Sequence, residues 1–561
     1  MRFVRNGGDG RGTAPAMTIA PATRMIERPR RRRVADEREA CVVEVTDRSP
    51  PTLFHAGETF RLERLPVGSR IVYPPPPLKG LADVEAAIAD ALDSPLGMDP
   101  LDSLLRPGMR LTIAFDDISL PLPPMRTPDI RQRVIEQVLE RAYRAGVDDI
   151  HLIAALAVHR RMTTAELRRT VGARVFDEFF PDRLYNHDAE DPAGIVRLAE
   201  TAQGEVVELS RRAAESDLLV YVNINLVTMD GGHKSVPIGL GTYASLRAHH
   251  TVHTLRHSRS FMDPEASELH HSAARQSDVV EEAVPVFHVE TTLNNDMYAD
   301  PLRFLARPEA QWTAREQALF AGLKRSTDRM SPKLRRTAFH RTAAPYAVTG
   351  VTAGAVTPVH DVTLERCAAQ QAVRVQGQAD VVTAGVPYVG PYNVNSIMNP
   401  VLVMCVTLGY FFNLYRGVPL VRKGGVMIFT HPVTREFHPV HHPSYIDFFE
   451  EVLAETTDPA EIERRFERSY AEDEWYRHLY RTSHAYHGVH PFYMWYWGAH
   501  ALEHLGEVIF VGGDREACRR MGFRRADTMR DALEMAEQVV GRDPSVTHFH
   551  CPPLFYCEVE K

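Results

Sequence analysis

The apolar and polar positions of this chain alternate between two periods. Short apolar runs of strand length recur at Leu111–Phe115, Ile150–Val158, Asp217–Val222 and Val284–Leu293, then at Ala379–Ala384, Gly425–Phe429 and Glu507–Val511. Between them lie segments whose apolar residues return every three or four positions. Ile130, Val134, Val138 and Leu139 mark one side of a helix over 130–146, and Met529, Ala532, Leu533 and Ala536 one side of a helix over 528–540. Thr163 followed by Glu166 forms a capping box that opens another helix. Strands that are apolar throughout belong to sheets covered on both faces. The pattern therefore predicts an α/β fold: two Rossmann-like α/β domains with a cleft between them, preceded by a disordered tail.

Composition divides the chain further. Residues 1–45 are rich in Arg, Gly and Pro and lack periodicity, so they are expected to be disordered. Residues 46–300 form the N-terminal α/β domain, 301–345 a polar helical insertion or linker, and 346–561 the C-terminal α/β domain. Apolar content of 44% and charged content of 25% fit an ordinary globular protein. A net charge of −8, with no basic domain, argues against a nucleic-acid partner. Six scattered cysteines without a C-x-x-C pair read as reduced thiols and place the chain in the cytoplasm. The Arg-rich start, Arg28 to Arg33, has no apolar core and is no secretory signal. The longest apolar run, Val401 to Phe412, is too short to span a bilayer and reads as a core helix.

The stretch from Met229 to His250 is the richest in chemistry. It sets five glycines or prolines around Lys234, follows an apolar strand, and ends in His249-His250. Glycines let backbone approach a ligand, lysine supplies a charge or a nucleophilic amine, and imidazole suits a borderline metal. In an α/β sheet ligands sit beyond the carboxyl ends of the strands. Asp117, His159 and the Lys234 loop each follow a predicted strand.

The segment Gly231-Gly232-His233-Lys234-Ser235, with Gly239, Tyr243 and His250 sixteen residues after the lysine, resembles the signature of the lactate racemase family, which uses a nickel-pincer nucleotide. The resemblance runs from about Asp93 to Val540. It implies that Lys234 carries the cofactor covalently, with Gly231, Gly232, Ser235 and Asp117 around it, and that His250 binds nickel. His159, in Val158-His159-Arg160 before Glu166-Leu167, matches the general base that takes the hydroxyl proton of a 2-hydroxy acid. Cofactor-synthesis proteins are implied as partners, with no nucleic acid and no membrane. Leu120 stands where the family has an arginine, and Ile224 where it has a second catalytic histidine, ten residues before the lysine. His233 is the expected substitute for that second base. Ser396, Asn399 and Trp495 fall near the family's substrate contacts, where the loss of cations implies a less anionic or differently placed substrate group. The expectation is a racemase or epimerase acting on a 2-hydroxy acid, lactate-like or larger. The alternatives are a one-base oxidoreductase or isomerase on the same cofactor, and a non-catalytic nucleotide-binding relative. His187 reads as structural, and the histidines at 438–442 and 484–490 lack the spacing that puts two ligands on one helical face.

Overall fold

A computed structural model describes residues 41–560. Most of the tail expected to be disordered, residues 1–40, lies outside them. The end of that tail is ordered: Val42–Glu44 is a strand, paired antiparallel with Arg70–Val72.

Two sheets organise the chain. The first has six strands in the order Val348–Gly354, Val286–Leu293, Leu218–Asn225, Arg110–Asp116, Asp149–Ala155 and Leu184–Asn186. All pair in parallel except the first two, which are antiparallel. Leu218–Asn225 and Val286–Leu293 are buried at every position, as strands covered on both faces must be. The capping box at Thr163 and Glu166 is present in full. Asp129 caps the helix Ile130–Arg144 by accepting the Arg131 N–H.

The second sheet has nine strands. Ala379–Pro387, Val421–Thr430 and Glu507–Val511 form its parallel centre. The fold is therefore the mixed α/β architecture that the periodicities predict. The expected boundaries at 46, 300 and 346 do not follow the sheets, however. The strands Thr52–Gly57 and Arg70–Val72 belong to the second sheet, and Val348–Gly354 to the first. Ala56 pairs with Val386, a partner hundreds of residues away, and periodicity carries no information about such partners. The segment 301–345 is helical, including Ala314–Arg329 and Pro332–Arg341.

The run Val401–Phe412 is buried, but it is not one regular helix. Pro400–Met404 is α-helical, Cys405–Tyr410 opens into a wide π-helical turn, and Phe411–Asn413 tightens to a 3₁₀ turn. Among the described residues no helix is long and apolar enough to cross a membrane.

Candidate active site

Three strands of the first sheet end side by side, and their carboxyl ends carry the polar wall of a cavity of about 260 Å³. Arg110–Asp116 delivers Asp116 and Asp117, Asp149–Ala155 leads to His159, and Leu218–Asn225 delivers Asn223 and the lysine loop. Helices and loops of the second unit close the other side, including Tyr392, Tyr410, Phe411 and Trp497.

His159 and Asp117 form a pair. His159 Nδ1 lies 2.9 Å from Asp117 Oδ2, while Asp117 Oδ1 accepts from the Ser119 N–H and hydroxyl. Burial alone would raise the Asp117 pKa, but His159 and Ser119 hold its carboxylate below the usual range. A carboxylate on Nδ1 leaves Nε2 as the imidazole's proton acceptor. The backbone that presents His159 is strained. Ala157 has φ +51°, and it is pinned by its N–H to the Gly239 carbonyl and by the Tyr480 hydroxyl to its own carbonyl. Such conformations persist where surrounding contacts fix them. Asp117, expected to hold a cofactor, lines the cavity and orients the histidine.

Lys234 and His250 line the same cavity. Burial lowers the Lys234 pKa to about 8, against the opposing pull of Asp230, Glu290 and Asp116. A desolvated lysine near neutrality is a usable nucleophile. His250 Nδ1 sits 3.1 Å from the Leu246 carbonyl and 2.8 Å from His249 Nδ1. The carbonyl only accepts, so Nδ1 carries the proton and Nε2 the lone pair. Burial pushes the His250 pKa down to about 4, which keeps the ring neutral and fit to ligate a metal.

The glycines shape the loop from behind. Gly231 (φ +74°) lines the cavity, and a Cβ there would meet Asn225 Oδ1 at 2.2 Å. Gly232 (φ +66°) turns its N–H away from the cavity to Glu290 Oε1, 2.6 Å away, and a Cβ on it would strike the His360 ring. Glu290 is in turn paired with His360 Nδ1 at 3.1 Å. Gly232 thus anchors the loop and lies off the wall. Ser235 is on the wall and donates to Asn223 Oδ1 at 3.0 Å.

Four more expected site residues lie off the wall. His233 Nε2 is 3.2 Å from the Thr357 hydroxyl and is not on the cavity wall. Ser396 contacts His441 and His442. Asn399 caps the helix Pro400–Met404 through the Leu402 N–H. Trp495 is fully buried, with its indole N–H on the Thr457 carbonyl. Trp497, two residues on, is the tryptophan that reaches the cavity. His187 is structural, with Nε2 2.8 Å from the Gly241 carbonyl. Tyr243 bonds to Glu467. Among the described residues no group of three or more His, Cys, Asp or Glu side chains is arranged to hold a metal.

Sequence reasoning missed Asp116. It lines the wall, accepts from the Ile224 N–H at 2.7 Å and contacts the Asn223 amide at 3.1 Å. Burial raises its pKa to about 7, with the Ile224 N–H and Arg131 pulling back. Its place beside Asp117 at a strand end was the available signal. Ile224 itself is buried, with no exposed surface.

The chain is similar to lactate racemases in part of its sequence and in its fold. Residues 62–263 match the lactate racemase N-terminal domain. A lactate racemase of Lactiplantibacillus plantarum is 25% identical over 173 residues, 30% of this chain and 38% of that protein, so the match spans well under half of the relative's length. The lactate racemase apoprotein of Thermoanaerobacterium thermosaccharolyticum superposes with a TM-score of 0.59 at 17% identity, over 91% of this chain and all of that one, which establishes the shared fold. The matched region carries the Asp117–His159 pair, Lys234 and His250, so the part of the chain that holds these site residues is similar to the lactate racemase N-terminal domain.

Proposed function

We propose that the chain is a racemase- or epimerase-type isomerase that acts at a secondary carbinol carbon, with a nickel-pincer nucleotide held by Lys234 and His250. The observation that carries this reading is that one cavity gathers a desolvated lysine, a neutral imidazole with a lone pair, and a carboxylate-oriented histidine. The donor set fits the group: an amine for covalent attachment and a single imidazole for a metal whose other ligands come with the cofactor. When bound, that group supplies a centre that accepts a hydride and returns it.

The chain's own residues handle position and protons. His159 Nε2 takes the carbinol hydroxyl proton, and Asp117 stabilises the imidazolium that results. Asp116, held near pH 7, is the second protonatable group on that wall, and it takes the part expected of His233. Asn223 and Ser235 fix the wall between it and the lysine loop. The apolar wall of the second unit excludes water from the reacting carbon. The sequence expectation places the carbinol in a 2-hydroxy acid; the cavity wall decides what flanks it.

The test is the intact mass and nickel content of the chain co-produced with cofactor-making proteins. Wild type should carry a covalent mass increment and nickel. Lys234→Ala should lose both, whereas His250→Ala should keep the increment and lose nickel. Nickel retained by Lys234→Ala, or no increment in wild type, would sink the proposal.

A further inference from the structure

Building on the carbinol-isomerase reading, we infer that the cavity selects an uncharged secondary alcohol with an apolar flanking group and disfavours a carboxylate. Among the described residues that line the cavity, Lys234 is the only lysine or arginine, facing three acidic side chains, Asp116, Asp117 and Asp230. Attachment of a cofactor through Lys234 removes that one cation. The guanidiniums on neighbouring segments are committed elsewhere. Arg131 is bonded to Asp129 and to the carbonyls of Asp116 and Asp117. Arg160 makes a two-pronged pair with Glu166 and donates to the Val394 carbonyl. Both are buried, with 3% and 2% exposure, and neither is on the wall.

A carboxylate entering this cavity would shed water without meeting a fixed cation, beside Asp117, which its partners hold ionised. An unpaired buried charge is among the costliest groups a site can accept. The rest of the wall favours the opposite ligand. Leu120, Leu122 and Leu156 line the space together with Val389, Pro391 and Trp497. The polar atoms offered from the second unit are neutral: the hydroxyls of Tyr392 and Tyr410, 3.0 Å apart. They can hydrogen-bond an amide, ketone or hydroxyl but cannot neutralise an anion.

Three probes share one phenyl carbinol and differ in a single flanking group: 1-phenylethanol, mandelamide and mandelate. Their affinities for the nickel-loaded enzyme are measured by titration calorimetry, and interconversion of their enantiomers by chiral chromatography. The two neutral probes should bind at least tenfold more tightly than mandelate. Leu120→Arg should tighten mandelate at least tenfold and weaken the neutral pair. Mandelate binding as tightly as the neutral probes to wild type would overturn the inference, and so would failure of both neutral probes to bind. The comparison on wild type stands alone if the arginine variant does not fold. Neutral-selective binding without interconversion of any probe would uphold the selectivity and reject the isomerase reading instead.

Discussion

The cavity's two walls are built differently. The wall from the first sheet is polar: Asp116, Asp117 and Asn223 sit at strand ends, and His159 and Lys234 on the loops that follow. The wall from the second unit is aromatic and aliphatic, and comes from irregular helices. On the first, hydrogen bonds fix position: Asp117 to His159, Asp116 to the Ile224 N–H, Ser235 to Asn223. On the second, ring contacts do so. Tyr410 stacks on Trp497 with centroids 5.6 Å apart, and His250 leans on Tyr493 at 4.6 Å. Chemistry is thus carried by a rigid sheet edge, and ligand choice by packing that can vary without disturbing it.

The largest effect should come from the polar wall. His159→Ala should lower turnover about 10²–10⁴-fold, the range for a lost general base, while the covalent mass increment on Lys234 remains. Asp117→Asn should lower turnover less, with its loss concentrated in kcat. Equal binding and unchanged kcat in His159→Ala would remove the base assignment and, with it, the contrast between the walls.

The second comparison sits at the end of one helix, His490–Tyr496, which holds Trp495 and which Trp497 caps. Trp495→Ala empties a fully buried site and should cost roughly 3–5 kcal/mol of stability, read from urea unfolding. Trp497→Ala should cost less stability and shift KM for the preferred alcohol. The reverse pattern would move the cavity wall to the other face. These two residues also mark what the sequence could disclose. An aromatic stripe from Phe492 to Trp497 is plain in the sequence, but nearly all of it is buried, and only the fold shows which ring meets the ligand. The strand-end residues Asp117, His159 and Lys234 were legible because a local pattern, apolar run then polar turn, fixes where they sit. Tyr410 was not. It depends on the π-helical turn Cys405–Tyr410 and on Gly409, whose missing Cβ lets Trp497 approach. The domain boundaries failed for the same reason, since sheet membership rests on partners distant in sequence.

Acid should not respect the division between walls. Burial depresses His55, in the second sheet, and His431, just past one of its strands, to about 3, and His250 and His288, in the first unit, to about 4. A folded pKa below the unfolded value contributes stability that is present above about pH 6.5 and lost as pH falls toward the folded value. Asp116, raised to about 7, has the opposite sign: its contribution is present below about pH 4 and fades as pH rises toward 7. Four histidines outweigh one carboxyl, so the urea midpoint should drop between pH 6.5 and 4.5. Over those two pH units each histidine contributes at most about 3 kcal/mol, at ~1.4 kcal/mol per pKa unit. A midpoint that is flat or rises over that interval would show that these rings are protonated in the fold.

The smallest effect should be at the residue that sequence reasoning made a second base. His233 faces Thr357 across 3.2 Å, off the cavity wall, and its Nδ1 is buried without a partner. Removing the ring therefore deletes one hydrogen bond, worth about 1 kcal/mol, together with one unpaired polar atom whose loss offsets part of that cost. His233→Ala should keep turnover within about twofold and leave the mass increment on Lys234 intact. Asp116→Asn in the same background separates the two candidates. Loss of turnover with Asn at 116 and not with Ala at 233 assigns the second proton to the sheet edge. A hundredfold loss in His233→Ala, with its unfolding midpoint unchanged, would return that proton to the histidine and require the loop to turn over before reaction.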